Sequence, residues 1–177
     1  MPNSCRSVFL SFFIFVCQSV SAHQADLTQY VRPLSGTAYS TTVSALKHDT
    51  FLANFANTIP SVCTPFAMPQ WTPKAQATEN KCILPYYYKD ALFGGFRGSH
   101  CISGSCTQDY GSVTIMPNSG KLKTTRYAAK FTHNDERSSA YEYQVNLSKY
   151  NLTADITARP RCAVMQITAN AADRFSL

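Results

Sequence analysis

The sequence predicts a mainly antiparallel β protein with few short helices. Close to the C-terminus, apolar and polar residues alternate over residues 141–148 and again over residues 151–158. A period of two is typical of a strand that buries one face and exposes the other. Between Tyr30 and Pro117, prolines and polar clusters divide the chain into short segments, which favours strands and loops over long helices.

The predicted elements follow in chain order. Residues 39–56 have a brief helical pattern, and residues 113–115 alternate as in a strand. Residues 149–150 separate the two long alternating runs, so we expect a tight hairpin there. A third strand over about residues 162–168 completes an antiparallel meander.

The first residues have the composition of a secretory signal. Arg6 precedes an apolar run over residues 8–16, and the small residues 20–22 suit cleavage by signal peptidase. A membrane anchor is the alternative, but the run has about half of the roughly 20 apolar residues that a spanning helix needs. We therefore expect residues 1–22 to be removed. The mature chain then begins at His23 and is secreted, in the extracellular space or the secretory-pathway lumen, with no membrane span.

The charge pattern argues against nucleic acid as a partner. The chain has 16 Lys and Arg residues against 10 Asp and Glu residues, a formal net charge of +6. The basic residues are scattered, and their densest group is Lys121, Lys123 and Arg126. Binding of nucleic acid would need a basic stripe with interleaved aromatic side chains, which this sequence lacks.

Cysteine usage agrees with an oxidising compartment. Two of the seven cysteines leave with the signal, and an odd number remains, namely Cys63, Cys82, Cys101, Cys106 and Cys162. We expect one disulfide between Cys63 and Cys82 and another between Cys101 and Cys106, although the sequence alone leaves the connectivity open. The chain has no CxxC or HxxxH pair, so no metal site is expected in it.

Two glycosylation sequons lie in the predicted meander. They are Asn146-Leu147-Ser148 and Asn151-Leu152-Thr153. Both asparagines fall on the polar side of their predicted strands, where a bulky glycan can be accommodated. We expect at least one of them to be glycosylated in a secreted chain.

Residues 94–117 have the composition of a ligand site. Arg97, His100, Gln108 and Asp109 stand there among glycines and serines. Glycines let a ligand approach the backbone closely, and polar side chains can hold a ligand with many hydroxyl groups. The structural alternative is a pair, Arg97 and His100, that satisfies buried carbonyls, with Gln108 and Asp109 as turn caps.

The sequence has no clear pair of catalytic carboxylates. Glycoside hydrolysis needs two carboxyl groups about 5 Å or about 6.5–9.5 Å apart. Asp135 and Glu136 are adjacent, so they point to opposite faces of a strand. A pair of Asp109 with Glu136 is the remaining alternative, and no Gly-x-Ser-x-Gly elbow indicates a serine hydrolase. We therefore expect no catalytic residue in this chain.

A series of short motifs, in order along the chain, resembles one enzyme family. The motifs are Tyr30-Val31-Arg32-Pro33 with Gly36-Thr37, Asn57-Thr58-Ile59-Pro60, Pro65-Phe66-Ala67-Met68, Trp71-Thr72-Pro73, Gly95-Phe96 to His100, Asp109-Tyr110-Gly111, and Phe131 to Glu136. Together they resemble the N-terminal domain of the family 92 glycoside hydrolases, which are calcium-dependent α-mannosidases. The resemblance covers residues 30–168 in order.

The resemblance implies a fold and a domain organisation. It implies an antiparallel β-sandwich over residues 23–177, of the galactose-mutarotase-like supersandwich type but incomplete. In the family an (α/α)6 barrel follows and holds the catalytic carboxylates and most calcium ligands. We expect that catalytic domain to be missing here, so calcium is implied for the full-length enzyme and no cofactor is expected in this chain.

The resemblance also implies a function. The chain is similar to the carbohydrate-contacting part of a secreted α-mannosidase that removes mannose from glycoprotein N-glycans, and we expect it to be inactive alone. Substrate contacts are expected from Trp71, Arg97, His100, Gln108 and Asp109. For Trp71, which could stack on a pyranose ring, a place in the core is the alternative; His133 and Glu136 are assigned to structure. A non-catalytic carbohydrate-binding module and a fragment without function remain as alternatives.

Overall fold

The structure is a computed structural model, and it describes residues 26–39, 41–43, 47, 58–75, 85–99, 113–122, 124–170 and 175–176. Its largest described sheet is the meander that the C-terminal alternation predicts. Strands β7 (Glu136–Ser138), β8 (Glu142–Leu147), β9 (Leu152–Ala158) and β10 (Ala163–Ala169) follow one another in the sheet. All neighbours are antiparallel, so the predicted third strand is confirmed.

The alternation of the sequence becomes the two faces of this sheet. Tyr143 lies opposite Ile156 and Leu147 opposite Leu152, and all four side chains are buried. The other face is polar, and there the Gln144 amide nitrogen Nε2 donates to Asp155 Oδ1 at 2.5 Å. Residues opposite each other in an antiparallel pair share a face, so the period of two decides what is buried.

A second sheet has three strands. It consists of β1 (Gln70–Lys74), β3 (Gly95–Ser99) and β4 (Val113–Ile115), in the order β1-β3-β4. The predicted strand at residues 113–115 is therefore confirmed. Two short ladders complete the described sheets, β2 (Leu92–Phe93) with β6 (Ala129–Lys130) and β5 (Asn118–Ser119) with β11 (Phe175–Ser176).

Aromatic side chains join the two larger sheets. Phe96 of β3 contacts Tyr143 of β8 edge to face, with ring centroids 6.0 Å apart. Phe93 contacts Phe96 in the same way at 5.2 Å and Phe131 at 6.1 Å. Edge-to-face pairs contribute about 0.5–1.5 kcal/mol beyond burial of their area. The core therefore lies between two antiparallel sheets, and the predicted mainly β sandwich is confirmed.

The connection between β8 and β9 is the tight hairpin expected, since Leu147 at the end of β8 pairs with Leu152 at the start of β9. Residues Ser148–Tyr150 form a 3₁₀ turn, and Asn151 ends it with φ 50 and ψ 45 in the left-handed region. Asparagine tolerates this conformation better than most residues. Asn151 thus lies in the turn and not on the polar side of β9, which corrects the expected strand position of the second sequon. Asn146 is exposed on β8 as expected.

Lys149, a residue of this turn, attaches the turn to another segment of the chain. Its Nζ donates to the carbonyl oxygens of Arg126 at 2.8 Å, Tyr127 at 3.3 Å and Ala128 at 2.7 Å. The Tyr150 hydroxyl also donates to the Tyr127 carbonyl. These bonds satisfy backbone acceptors of the segment that leads into β6.

The described cysteines carry free thiols. Cys63 is half-buried, with its Sγ 3.8 Å from Ser61 Oγ, and Cys162 is exposed. The expected Cys63–Cys82 disulfide is therefore not seen, because the Cys63 thiol is free. Cys82, Cys101 and Cys106 lie outside the described residues, as do the predicted signal over residues 1–22 and most of the predicted helix. No helix in the described part is long and apolar enough to cross a membrane.

Candidate functional site

The predicted substrate site lies on the three-stranded sheet and on the connection from β3 to β4. Trp71 is on β1 and Arg97 is on β3. His100, Gln108 and Asp109 belong to the connection and lie outside the described residues. The structure therefore places two of the five expected substrate residues.

The register shows where the connection begins and ends. Gly98 lies opposite Trp71 on one side and opposite Val113 on the other. Strand β3 ends at Ser99, opposite Gln70, and β4 begins at Val113, opposite Gly98. The end of β3 and the start of β4 therefore both lie next to Trp71.

Trp71 is held by packing. It is half-buried against the hydrophobic core. A Cβ built on Gly98 would lie 3.1 Å from a ring carbon of Trp71, so the indole lies over the bare backbone of that glycine. The indole Nε1 is buried and has no hydrogen-bond partner in the described part of the chain. This packing favours the core alternative for the side chain.

Arg97 lies on the opposite face of the same sheet. It is opposite Thr72 and Thr114, whereas Trp71 shares its face with Phe96. Thr72 is fully buried and Arg97 is partly exposed. The faces alternate along a strand, so Trp71 and Arg97 cannot line one pocket from the sheet itself.

The face that carries Arg97 is basic. Lys74 lies on it opposite Gly95, and it is 7% exposed. None of the strands β1, β3 and β4 contains Asp or Glu. This face therefore carries two positive charges, and no acidic residue of these three strands lies beside them.

Glycine 95 brings β3 and β4 together at the site. It has φ +124, and a Cβ there would lie 2.6 Å from the carbonyl oxygen of Ile115. Both the conformation and the close approach require glycine. The strand pair that supports the connection therefore depends on this residue.

Glu136 is the centre of a buried polar cluster. Its side chain has 0% exposure, and its Oε1 accepts from the Tyr86 hydroxyl at 2.7 Å and lies 2.5 Å from His133 Nδ1. The Tyr143 hydroxyl donates to Oε2. Burial, together with the Glu136 carboxylate, raises the pKa of both tyrosines, so both hydroxyls remain protonated donors. The His133 side chain is partly exposed, and its ring stacks on the ring of Tyr88 with centroids 3.6 Å apart.

The carboxylates of Asp135 and Glu136, the two acidic residues of the Phe131 to Glu136 motif, have structural roles. Asp135 Oδ2 accepts from the Thr132 backbone nitrogen at 2.9 Å and from its hydroxyl at 2.8 Å, which caps a turn. Glu136 is enclosed by its three partners, so its carboxylate is engaged in structural hydrogen bonds. Asp109, the other member of the alternative carboxylate pair, lies outside the described residues. No group of three or more His, Cys, Asp or Glu side chains that could hold a metal ion occurs among the described residues.

Asp90 is a titratable residue that the sequence analysis did not single out. Its Oδ2 is buried without a hydrogen-bond partner in the described part of the chain, and burial raises the pKa of its carboxyl group. A carboxyl with a raised pKa is a common feature of functional sites and of strained structural ones. Its neighbours in the sequence, Lys89 and Ala91, do not predict that the Asp90 carboxyl group is buried.

Comparison with known proteins identifies the family. The model of the glycosyl hydrolase family 92 N-terminal domain matches residues 30–177. No curated protein matches the chain. The fold is similar to that of a solved family GH92 inverting mannosidase from Bacteroides thetaiotaomicron VPI-5482, with a TM-score of 0.69 and 29% identity over 88% of this chain.

A second solved structure has the same fold. It is a family GH92 α-mannosidase from Bacteroides thetaiotaomicron in complex with mannoimidazole, with a TM-score of 0.66 and 24% identity over 82% of this chain. The chain spans only 19% and 18% of the lengths of these two enzymes. The match of the family model over most of the sequence shows that this chain belongs to glycosyl hydrolase family 92, as its N-terminal domain.

Proposed function

We propose that this chain is the carbohydrate-contacting N-terminal domain of a secreted, calcium-dependent α-mannosidase that removes mannose from glycoprotein N-glycans. The observation that carries the proposal is the match of the family model over residues 30–177. The similar fold of an inverting mannosidase supports it. The chain spans about a fifth of that enzyme, so the activity belongs to a longer assembly of domains.

In this proposal the chain binds and orients the sugar and performs no proton transfer. Glycoside hydrolysis requires one carboxyl group that protonates the leaving oxygen and another that acts on the opposite side of the ring. Asp135 and Glu136 are both engaged in structural hydrogen bonds. Contacts are assigned instead to Arg97 and to His100, Gln108 and Asp109 of the β3–β4 connection, and Trp71 is assigned to the core.

In the part of the chain that the structure describes, no group of three or more His, Cys, Asp or Glu side chains could hold a metal ion. We therefore assign no calcium ligand to them and derive no step through the ion. Calcium dependence is proposed for the longer enzyme only.

Secretion and a glycoprotein substrate form the finer part of the proposal. Secretion is supported by the signal-like composition of residues 1–22 and by the two sequons at Asn146 and Asn151. N-glycans of glycoproteins are the proposed substrate because of the resemblance of the sequence motifs to the family 92 α-mannosidases. A reporter enzyme fused after residue 22 tests the signal by itself, because the reporter reaches the medium only if residues 1–22 direct secretion.

A hybrid enzyme tests the proposed role directly. Residues 30–177 would replace the matching N-terminal segment of the Bacteroides thetaiotaomicron inverting mannosidase, and hydrolysis of an aryl α-mannoside would be measured. We expect the hybrid to be active, the same enzyme without any N-terminal domain to be inactive, and Arg97→Ala in the hybrid to raise KM. A folded hybrid without activity would contradict the proposal, and binding of mannan by the isolated chain would then favour a non-catalytic carbohydrate-binding module.

A further inference from the structure

Strand β10 lies at an edge of the four-stranded sheet among the residues that the structure describes. It has seven residues, Ala163–Ala169, and pairs only with β9 among the described strands. It contains no charged residue and no proline. Natural edge strands are usually short, charged or interrupted, because an unprotected edge pairs with another strand. The opposite edge of this sheet is protected in that way, since β7 has three residues that include Glu136 and Arg137.

The backbone of β10 presents alternate hydrogen-bonding groups to the open side. Arg159 N donates to Cys162 O at 2.8 Å, and Asn170 N donates to Asn151 O at 2.9 Å. These bonds show which residues of β10 form hydrogen bonds with β9. They are residues 164, 166 and 168, whose backbone N–H and C=O groups point at β9. The N–H and C=O groups of residues 163, 165, 167 and 169 therefore face outward.

The apolar face of the sheet is also less buried on β10 than on β9. Ile156 on β9 is 1% exposed and Ala154 is fully buried. On β10 the residues of the same face, Met165 and Ile167, are only half-buried. An additional strand beside β10 would cover this apolar surface, which is worth about 25 cal/mol for each Å² removed from water.

The order of side chains in β10 fits a second copy of itself. Two antiparallel copies centred on Gln166 place Met165 opposite Ile167, Val164 opposite Thr168 and Ala163 opposite Ala169. Apolar residues then meet on the core side, and no charges meet. The outward backbone groups of residues 165 and 167 face each other in this register and form a hydrogen-bonded pair.

We propose that two copies of this chain associate through antiparallel pairing of their β10 strands, so that the two four-stranded sheets become one continuous sheet with a two-fold axis at Gln166. An isologous contact of this kind closes on itself and gives a dimer. The proposal does not depend on the enzymatic role of the domain.

Two matched double variants test the register. Val164 and Thr168 are exposed on the polar face and face each other between copies, so Val164→Lys with Thr168→Lys places like charges opposite each other. Val164→Lys with Thr168→Glu places opposite charges there. In reducing buffer, light scattering on a sizing column should give twice the protomer mass for the unmodified full chain and for the lysine–glutamate variant. The lysine–lysine variant should give the protomer mass, with an unchanged circular dichroism spectrum.

A second measurement does not depend on any variant. Amide exchange at Met165 and Ile167 in the unmodified chain should slow as protein concentration rises, because these N–H groups face the second copy. A monomeric unmodified chain, a dimer that survives the lysine–lysine change, or concentration-independent exchange at both amides would each overturn the proposal. If the unmodified chain is a monomer, the strand that pairs with β10 belongs to a longer polypeptide or to a different protein.

Discussion

At the scale of single residues, Trp71 lies against the core with its indole over Gly98. We predict that Trp71→Ala lowers the free energy of unfolding by about 2–3 kcal/mol, somewhat below the range for a fully buried aromatic residue because the side chain is half-buried. Urea unfolding followed by circular dichroism measures this. Tyr141→Ala, at an aromatic residue that is 58% exposed, is the control and should change stability by less than about 0.5 kcal/mol.

The same substitution separates the two roles of Trp71. In the hybrid enzyme, a loss of kcat/KM with an unchanged melting temperature would mean that the indole contacts sugar and that the core interpretation is wrong. A fall in melting temperature with kcat/KM retained would confirm the core position.

Asp90 gives a prediction about pH. Burial raises the pKa of its carboxyl group above the usual 3.8, so the folded state binds the proton more tightly than the unfolded state. The contribution of Asp90 to the free energy of unfolding is fully present below pH 3.8, and it is lost as pH rises through the pKa of the folded state. Asp90→Asn should therefore raise the melting temperature at pH 7 and have a smaller effect at pH 3.5. An equal effect at both pH values would contradict this assignment.

At the scale of elements, the contact between β3 and β4 depends on Gly95. A Cβ at this position would lie 2.6 Å from the Ile115 carbonyl oxygen, and φ is +124. We predict that Gly95→Ala costs about 2–3 kcal/mol, since strain and a backbone clash add. Gly120→Ala is the matched control, because Gly120 has φ +79 but nothing within 4 Å of its Cβ position. Equal losses for the two variants in thermal unfolding would show that the clash contributes nothing.

The β8–β9 hairpin gives a prediction about glycosylation. Asn146 and Asn151 are both exposed, but Asn151 lies in the turn, where a glycan meets fewer neighbours than on the face of β8. In a eukaryotic secretory host, we expect Asn146→Gln to retain a glycan and Asn151→Gln to lose most of it. Mass spectrometry before and after enzymatic deglycosylation measures occupancy. An unmodified chain that reaches the medium without any glycan would contradict the prediction.

The meander could be predicted from the sequence because each of its strands follows the previous one and the period of two is local. The short ladders and the β1-β3-β4 order could not, since Trp71 and Gly98 meet only after a long excursion of the chain. The opposite faces of Trp71 and Arg97 depend on that register. The contacts of Glu136 with His133 and Tyr143 are local in sequence, and the sequence analysis assigns His133 and Glu136 to structure. The contact with Tyr86, fifty residues earlier, could not be predicted because no local pattern links the two residues.

At the scale of the whole molecule, the chain matches the family's N-terminal domain and spans about a fifth of a related enzyme. We predict that it does not hydrolyse an aryl α-mannoside by itself, because the carboxylates of Asp135 and Glu136 are engaged by Thr132, Tyr86 and Tyr143. A sensitive fluorogenic assay at high enzyme concentration checks this. Turnover that Asp109→Asn abolishes would show that the chain has its own catalytic site, and Arg137→Ala, at an exposed residue, is the control.

The three hydrogen bonds of Lys149 affect how the molecule opens. One ammonium holds three successive carbonyls that are more than twenty positions earlier in the chain. It therefore closes a long loop of the chain without a covalent bond, and the ends of that loop cannot fray one residue at a time. Residues 126–128 and the β8–β9 turn should consequently unfold together as one cooperative unit, with the meander as its base.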